Sequence, residues 1–268
     1  IAIRFIEQSA LYYTQVRGLG TLKLNVTKEY VDKYVSEFYL VDTYYRLTLE
    51  AYHELITKEC PIEQTLTSAK RQLDLEYAKI CNIFNLEWLT CVKEKNTWFT
   101  ETGLKRQEDF YTNESDSSVK QVVIVSDALR YEVAMELMQE LAKEKHIATI
   151  GAYQAMLPTE TKYCKLALLP HHSLELNGND MMVDGAMLTT TDQRMAHLNK
   201  YRDGAICIRY EDVMNGDSQS MRELFKRPLV YIFHDTIDDA GHSQSPFDVI
   251  NACRKAIEQL AVLVKRLH

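Results

Sequence analysis

The sequence predicts an α/β fold in which a mostly parallel β-sheet has helices on both faces and follows an all-helical region. Two observations lead to this prediction. Residues 1–113 hold one of the five prolines and three of the nine glycines, and their apolar residues recur at the three- and four-residue spacing of helices. From residue 121 onward, short apolar runs alternate with amphipathic stretches, which is typical of a parallel sheet with covering helices.

Four helices are expected in the first region, at 1–16, 27–56, 63–95 and about 104–111. The second carries an apolar stripe made of Tyr30, Tyr34, Val35, Phe38, Val41, Tyr45 and Leu49. Ten of the sixteen tyrosines lie in this region, and a surface for stacking bases is one interpretation. Because no lysine or arginine track runs beside them, burial of the rings in a core is the favoured one.

The polar segment 114–120 is expected to link this helical region, 1–113, to an α/β domain, 121–268. Strands are expected at 121–126, 146–156, 205–209 and 229–233. Helices are expected at 128–144, 161–169, 191–201, near 210–226 and at 246–267. The stretch 170–190 is read as one long irregular insertion.

The bulk composition excludes some classes of protein. The net charge of -7 and the pI of about 5.7 give no electrostatic reason for general nucleic-acid affinity. No apolar run approaches the roughly 20 residues that span a bilayer. Six scattered cysteines, without closely spaced pairs, indicate free thiols and a cytoplasmic location. Because the sequence starts at Ile1 and stops inside a helical pattern, we expect a fragment of a longer protein.

Reactive groups of open α/β sheets gather at the carboxyl ends of the strands, and three loops are candidates on that ground. The first, "SDALR", places Asp127 directly after a buried strand, where it is a ligand or else one of two candidate helix N-caps, the other being Ser126. Arg130 in the same loop is either a surface residue or a phosphate contact.

The second loop, "LPTETK", places Thr159 or Thr161 at the start of a helix, where backbone amides favour an anion. A threonine hydroxyl becomes a nucleophile only with a base or a metal ion beside it. A capping box explains the same residues without any chemistry. Lys162 and Lys165 are read as solvated, or as facing a phosphate.

The third loop, "HDTIDDAGH", holds Asp238 and His242 four residues apart with Gly241 between them. A carboxylate and an imidazole together suit zinc or manganese better than calcium. The neighbouring His234, Asp235 and Asp239 are either further ligands or residues that orient the ligands. Taken alone, the loop is interpreted as an acidic turn in water.

Taken in order, "VVIVSDALRYEVAMEL", "MLPTETKYCKLALLPH" and "YIFHDTIDDAGH" resemble the alkaline phosphatase superfamily, and most closely its PglZ family. The resemblance runs from about residue 28 to the end and implies an alkaline-phosphatase-like α/β core. It also implies two metal ions, commonly zinc, about 4 Å apart. Asp127 would bind one ion and Thr161, the second threonine of the motif, would be the nucleophile bridging to it. Asp238 and His242 would bind the other ion.

One departure from the family pattern concerns the metal. The family carries a further Asp-His-Gly motif just beyond the helix with which this sequence ends, so the C-terminal part of the core is expected to be missing. The 268 residues of this sequence are therefore expected to hold one metal ion or none. Arg130 and Lys165, taken from the loops themselves, are the candidate substrate contacts.

The resemblance implies a phosphohydrolase, with phosphodiesters preferred and a nucleotide or nucleic acid as a candidate substrate. It implies a role in bacterial BREX phage exclusion, beside a DNA methyltransferase and an ATPase. The alternative is a scaffold subunit of that complex, with weak or no activity. A generic nucleotide-binding domain would need a glycine-rich phosphate loop, and "SDALRYE" has no glycine.

Overall fold

The computed structural model describes residues 1–58, 61–95, 102–243 and 245–267. In the first 120 residues of this part the helices are α1 (Ala2–Gly18), α2 (Thr27–Lys33), α3 (Tyr39–Ile56), α4 (Glu63–Lys95) and α5 (Phe110–Glu114). After them come α6 (Tyr131–Lys143), α7 (Thr161–Ala167), α8 (Thr191–Tyr201), α9 (Tyr210–Asn215), α10 (Ser218–Leu224), α11 (Thr236–Gly241) and α12 (Pro246–Leu267).

The strands are β1 (Lys105–Arg106), β2 (Gln121–Ser126), β3 (Tyr153–Gln154), β4 (Leu174–Asn177), β5 (Asp180–Val183), β6 (Ala186–Met187), β7 (Ile206–Arg209) and β8 (Leu229–His234). No helix within the described residues is both long and apolar enough to cross a membrane.

The chain forms two compact units whose segments alternate along the sequence. The helical unit comprises Ile1–Gly103, Arg130–Ile150 and Ala240–Ile257. The sheet unit comprises Leu104–Leu129, Gly151–Asp239 and Glu258–His268. The expected division into a helical region that ends at residue 113 and an α/β domain that begins at residue 121 stays a prediction.

The core of the helical unit is rich in aromatic rings. It is formed by Tyr12, Leu19, Tyr30, Phe38, Val41, Leu73, Phe84 and Cys91. Tyr12 and Tyr30 are almost fully buried, and the rings of Tyr45 and Tyr77 stack with their centroids 3.6 Å apart. The predicted burial of these tyrosines is therefore confirmed. The predicted helix 27–56 is also present, except that residues Tyr34–Phe38 in its middle form a π-helical turn.

A buried ion pair ties α6 into the helical unit. Arg46 in α3 donates from Nε to Glu132 Oε1 and from Nη2 to Glu132 Oε2, both at 2.9 Å. Both side chains are nearly inaccessible to solvent. Arg46 Nη2 also donates to Glu136 Oε2, and the bidentate pair gives the buried Glu132 carboxylate its positive partner.

The sheet unit is built on the parallel sheet β2-β8-β7, as the sequence predicts. Alternate residues of its strands point to opposite faces, as the pleat requires. One face packs on α7 and α8 through Tyr163, Leu166 and Leu198. The other packs on α9 and α12 through Tyr210, Val213 and Leu263. Helices thus cover both faces, which confirms the predicted fold class.

Three predicted elements are wrong. The strand expected at 146–156 is reduced to β3, which pairs with β1 in a separate two-stranded sheet, while Ile147 is 99% exposed. The helix expected at 104–111 begins as β1 and a 3-10 turn before α5. The stretch 170–190 is ordered as the antiparallel sheet β4-β5-β6. Its two turns use Gly178 and Gly185, whose φ angles of 64° and 74° suit glycine.

Two helix ends also differ from expectation. Helix α6 begins at Tyr131 rather than at residue 128, because Ala128 has a φ of 60° and turns the chain before the helix can start. Helix α7 ends at Ala167 rather than at residue 169. The five cysteines within the described residues are free thiols, as expected, and Cys60 lies outside them.

Candidate active site

The candidate site starts at the carboxyl-end edge of the parallel sheet. Ser126 and His234 are paired as the last residues of β2 and β8, and the Asp127 backbone N–H donates to the His234 carbonyl at 2.9 Å. Asp127 Oδ1 accepts from the Ala128 N–H at 3.0 Å. Because α6 begins three residues after Ala128, with Arg130 at its N-cap position, the N-cap interpretation of Ser126 and Asp127 is wrong.

Lys165 in α7 holds the Asp127 carboxylate. Its ammonium lies 3.0 Å from Asp127 Oδ2 and donates to Asp235 Oδ1 at 2.8 Å. Burial by itself lowers the pKa of Lys165, but the carboxylates of Asp127 and Asp235 raise it by more. The pKa therefore lies above that of an ordinary lysine, and the side chain is protonated. Lys165 is therefore not a solvated lysine, because its side chain is only 11% exposed.

Thr161, the expected nucleophile, is the first residue of α7 and is exposed. Residues four apart share a helix face, so Thr161 lies on the face that carries Lys165. The N-cap residue of α7 is Glu160, and no side chain caps this end, which makes the capping-box interpretation wrong. Thr159 lies before the helix and is exposed. Lys162 is 41% exposed and pairs with Glu160 at 3.4 Å.

His234 is fully buried beneath this edge of the sheet. Its Nδ1 lies 2.9 Å from Ser126 Oγ and its Nε2 lies 3.0 Å from Gln259 Oε1. Since an amide oxygen only accepts, Nε2 carries the proton and Nδ1 accepts from the serine hydroxyl. Burial lowers the pKa of His234, which keeps the ring neutral. Both ring nitrogens are engaged, and the ring fixes the residue before Asp127.

The expected third loop is a helix. Residues Thr236–Gly241 form α11, and the Asp239 N–H donates to the Asp235 carbonyl at 2.8 Å. Asp238 and Asp239 occupy its first turn, where carboxylates interact favourably with the helix dipole. The expectation of a loop is wrong because these acidic residues stabilise a helix start.

Two predicted site residues, His242 and Arg130, fall in the helical unit. His242 directly follows α11 and is exposed. Asp238, by contrast, belongs to the sheet unit. The metal-binding roles of both stay predictions. Arg130 lies at the start of α6, with Nη1 3.6 Å from Cys253 Sγ. Its predicted contact with a phosphate also stays a prediction.

Arg194 in α8 lies near the candidate site and was not identified from the sequence. Its guanidinium lies 5.1 Å from the centre of the Phe233 ring, and the Lys165 ammonium lies 5.8 Å from the same centre. Arg194 donates from Nε to the Leu188 carbonyl at 3.2 Å. Burial lowers its pKa, against the opposing influence of Cys207 and Asp235. In the sequence it resembles any surface arginine of an amphipathic helix, so no local signal reveals it.

The donor set can be tested against the metal ions that the resemblance implies. Within the described part of the chain, no three His, Cys, Asp or Glu side chains come together closely enough to hold an ion. At the sheet edge, the carboxylates of Asp127 and Asp235 are both paired with the Lys165 ammonium. As arranged here, the residues of this chain do not by themselves fit a metal ion.

The parallel sheet, with acidic residues following two adjacent strands, is the arrangement of an alkaline-phosphatase-like α/β domain. The model of the BREX system PglZ alkaline phosphatase-like domain matches residues 108–268. This match covers more than half of the sequence, and the chain therefore belongs to the PglZ family.

Two curated relatives are similar to this chain. It is 28% identical over 244 residues to the alkaline phosphatase-like protein PglZ of Bacillus cereus (strain H3081.97), a match that covers 87% of this chain and 28% of the relative. It is 35% identical over 182 residues to the alkaline phosphatase-like protein BrxZ of Escherichia coli O9:H4 (strain HS), a match that covers 62% of this chain and 21% of the relative. The chain thus spans about a quarter of the length of these relatives.

Proposed function

We propose that this chain carries part of the catalytic site of a metal-dependent phosphohydrolase in a bacterial phage-defence system, with Thr161 as the nucleophile. The observation that carries the proposal is the contact between Lys165 and Asp127. It brings α7, which begins at Thr161, to the sheet edge where Asp127 directly follows β2. Thr161 and Asp127 are 34 residues apart in the sequence, and the family pattern pairs them in the same site.

The proposed reaction is hydrolysis of a phosphodiester in two steps. The Thr161 hydroxyl oxygen attacks phosphorus, the bond to the leaving oxygen breaks, and the hydroxyl proton ends on the departing alcohol. Water then releases the phosphate monoester and restores the hydroxyl. Lys165 and Arg194 are the two cations proposed to contact an anionic substrate, since both lie beside the Phe233 ring near this edge of the sheet. Arg130 is the further candidate for a substrate contact.

The proposed metal ligands are Asp127, Thr161, Asp238 and His242, with zinc as the expected ion and manganese as the second choice. Bound at such a site, the ion would favour the alkoxide form of the threonine and offset the negative charge of the phosphoryl group. His234, Asp235 and Asp239 are proposed to orient the ligands. Since the described residues do not complete a metal site, we propose that further ligands come from the parts of the longer relatives that this chain does not match.

The proposed setting is the BREX phage-exclusion complex, with a DNA methyltransferase and an ATPase as partners and a nucleotide or nucleic acid as the candidate substrate. The family description supports this setting, because it names the BREX system.

Comparing Thr161→Ala with Thr159→Ala in the full-length protein tests the proposal. Turnover of bis(p-nitrophenyl) phosphate should fall by about a thousandfold or more in Thr161→Ala, because the covalent step needs this hydroxyl. Thr159→Ala is the matched control, since both threonines are exposed and each variant loses the same two heavy atoms, Oγ1 and Cγ2. It should keep turnover within about threefold. Equal turnover by both variants would rule out Thr161 as the nucleophile.

A second candidate function, a scaffold subunit of the same complex, is favoured by one observation. The Asp127 and Asp235 carboxylates share the Lys165 ammonium, so each has a positive partner without a metal ion. If Asp127→Asn and Thr161→Ala both leave phage exclusion intact in cells, while the proteins accumulate normally, the scaffold function is the correct one. Loss of exclusion in both variants supports the hydrolase.

A further inference from the structure

We propose that the sheet unit has a second binding site, a cavity between α10 and the end of α12 that binds a nucleoside monophosphate. The cavity has a volume of about 570 Å³. This volume lies within the range of roughly 300–1,000 Å³ that is typical of sites for small molecules. Met221 and Phe225 in its lining pack on the face of the parallel sheet that α9 covers. Helix α7, which begins at Thr161, packs on the opposite face, so this site goes beyond the proposed function.

The cavity carries positive charge. Among the described residues that line it, two are arginines, Arg222 in α10 and Arg266 in α12, and none is acidic. The acidic residues of α10 and of its N-cap have other partners. Glu223 pairs with Lys226, and the Asp217 carboxylate accepts from backbone N–H groups at the start of α10. The two guanidinium charges are therefore not offset by a carboxylate in the lining.

Arg266 is held in a position from which it can bind an anion. Its Nη1 donates to the Met214 carbonyl near the end of α9, at 3.2 Å. A guanidinium carries about five N–H donors in a planar fork that matches a phosphate, so donors remain for a ligand. A phosphate monoester carries about −1.5 to −2 charges at pH 7, which balances two arginines better than a single carboxylate does. The charge of the cavity thus favours a phosphate.

The apolar part of the lining suits the base of a nucleotide. Phe225 directly follows α10 and lies four residues after Met221, so the two side chains share one face of the helix. Both side chains are half-buried, and part of each stays open to the cavity. Aromatic rings stack on bases, and thioethers make favourable contacts with aromatic rings. Ser218, also in the lining, offers a hydroxyl to the sugar.

Gly216 determines the shape of this apolar wall. A Cβ atom at its position would lie 2.3 Å from the Met221 methyl carbon and 3.2 Å from the Asp212 carbonyl oxygen. The backbone of Gly216 has a φ of -68° and a ψ of 145°, which any residue adopts. Glycine is therefore needed here for space and not for conformation. Gly216→Ala has to move the Met221 side chain and so change the wall.

Calorimetric titration of the full-length protein with adenosine 5′-monophosphate tests the proposal. Charge-assisted hydrogen bonds contribute enough that Arg222→Gln and Arg266→Gln should each bind the nucleotide about ten- to a hundredfold more weakly than wild type. Arg209→Gln is the matched control, because Arg209 pairs with Glu211 at 3.6 Å and lies outside the lining. It should bind as wild type does. No binding by wild type, or equal binding by all three variants, would overturn the proposal.

Two further ligands separate the parts of the site. Adenosine lacks the phosphate and inorganic phosphate lacks the base, so each should bind about tenfold or more weakly than the nucleotide. Gly216→Ala should weaken binding of the nucleotide and leave binding of inorganic phosphate unchanged, because it alters only the apolar wall. Adenosine binding as tight as that of the nucleotide would show that the arginines do not hold the phosphate, and would overturn the proposal.

A measurement on the wild-type protein does not depend on how any variant folds. Modification of Arg222 and Arg266 by phenylglyoxal, read by mass spectrometry, should be several-fold slower with saturating adenosine 5′-monophosphate than without it. Arg209 should react at the same rate in both states. Unchanged modification of Arg222 and Arg266 would show that the nucleotide does not occupy this cavity, and would overturn the proposal.

Discussion

At the scale of the residue, His234 joins the ends of the two strands that carry the candidate site. It accepts from Ser126, the residue before Asp127, and donates to Gln259. The Thr236 hydroxyl also donates to Gln259, at 2.8 Å. The neutral ring therefore connects β2, β8 and the start of α11 through a single amide, and it fixes the direction in which Asp127 leaves the sheet.

His234→Phe should lower the free energy of unfolding by about 1–3 kcal/mol, because Ser126 and Gln259 would each lose a buried partner. The phenyl ring preserves most of the packing against Tyr210, so the loss reports the hydrogen bonds. Urea unfolding followed by circular dichroism measures the change. His172→Phe, at an exposed histidine, is the control and should change stability by less than about 0.5 kcal/mol. Equal effects of the two substitutions would show that the hydrogen bonds contribute nothing.

Some of the site residues could be predicted from the sequence and others could not. Asp127 was predictable because an acidic residue directly after an apolar strand must lie at the sheet edge. The pairing of Lys165 with Asp127 and Asp235 was not, because these residues are far apart in the sequence and the ion pair depends on where α7 packs. Arg194 was missed for the same reason. His234 was identified as a site residue, but its burial follows from β8 lying at the centre of the sheet.

At the scale of the element, the pair between Arg46 and Glu132 determines how α6 is held against α3 in the helical unit. Arg46→Met should lower the free energy of unfolding by about 3–5 kcal/mol, since it leaves the Glu132 carboxylate buried without its partner. Chemical denaturation measures the loss.

The double variant Arg46→Met with Glu132→Gln gives the matched control for this pair. The double variant removes the buried charge together with its partner. Its loss in free energy of unfolding should therefore be smaller than the sum of the losses in the two single variants. Additive losses would mean that the two side chains stabilise the unit independently of each other.

The antiparallel sheet β4-β5-β6 depends on Asp184. Its Oδ1 accepts from the backbone N–H groups of His172 and Ser173 at 2.7 Å and 2.9 Å, and its Oδ2 accepts from the Tyr201 hydroxyl. Partial burial raises its pKa, but these hydrogen bonds and His197 outweigh that effect and lower the pKa to about 2. The carboxylate thus favours the folded form whenever it is ionised.

Stability from Asp184 should be present above the ordinary aspartate pKa of about 4 and should be lost as the pH falls from there toward 2. Asp184→Asn should therefore melt at a lower temperature than wild type at pH 7, and the difference should shrink between pH 4 and pH 2. Asparagine also tolerates the positive φ of this position, so the backbone is not the cause. A difference in melting temperature that is constant from pH 7 to pH 2 would contradict this account.

Elements with long periodic patterns could be predicted, and short ones could not. The apolar spacing of α4 and α12 extends over many turns, so their ends were close to those observed. The run 146–156 alternates like a strand, but a strand needs a partner, and only Tyr153 and Gln154 have one. The hairpins of 170–190 did have a signal, because Asn-Gly at 177–178 and Asp-Gly at 184–185 are typical hairpin turns.

At the scale of the whole molecule, the order of the three motifs along the chain indicated the family better than any single loop did. Each of the three candidate loops has an ordinary structural explanation, and two of those explanations, the N-cap at Asp127 and the capping box at Thr161, are wrong in the structure. The family followed from the ordered set of motifs. The division into two units whose segments alternate could not be predicted, because it depends on which distant segments pack together.

The central claim is that Thr161 attacks phosphorus, and trapping the covalent intermediate tests it most directly. Full-length protein quenched in acid during turnover of bis(p-nitrophenyl) phosphate should carry a p-nitrophenyl phosphoryl group on Thr161, as located by mass spectrometry of the peptide that contains it. The modification should be absent in Thr161→Ala and strongly reduced in Asp127→Asn. Steady turnover with no such adduct on Thr161, or with the adduct on Thr159 or another residue, would contradict the claim.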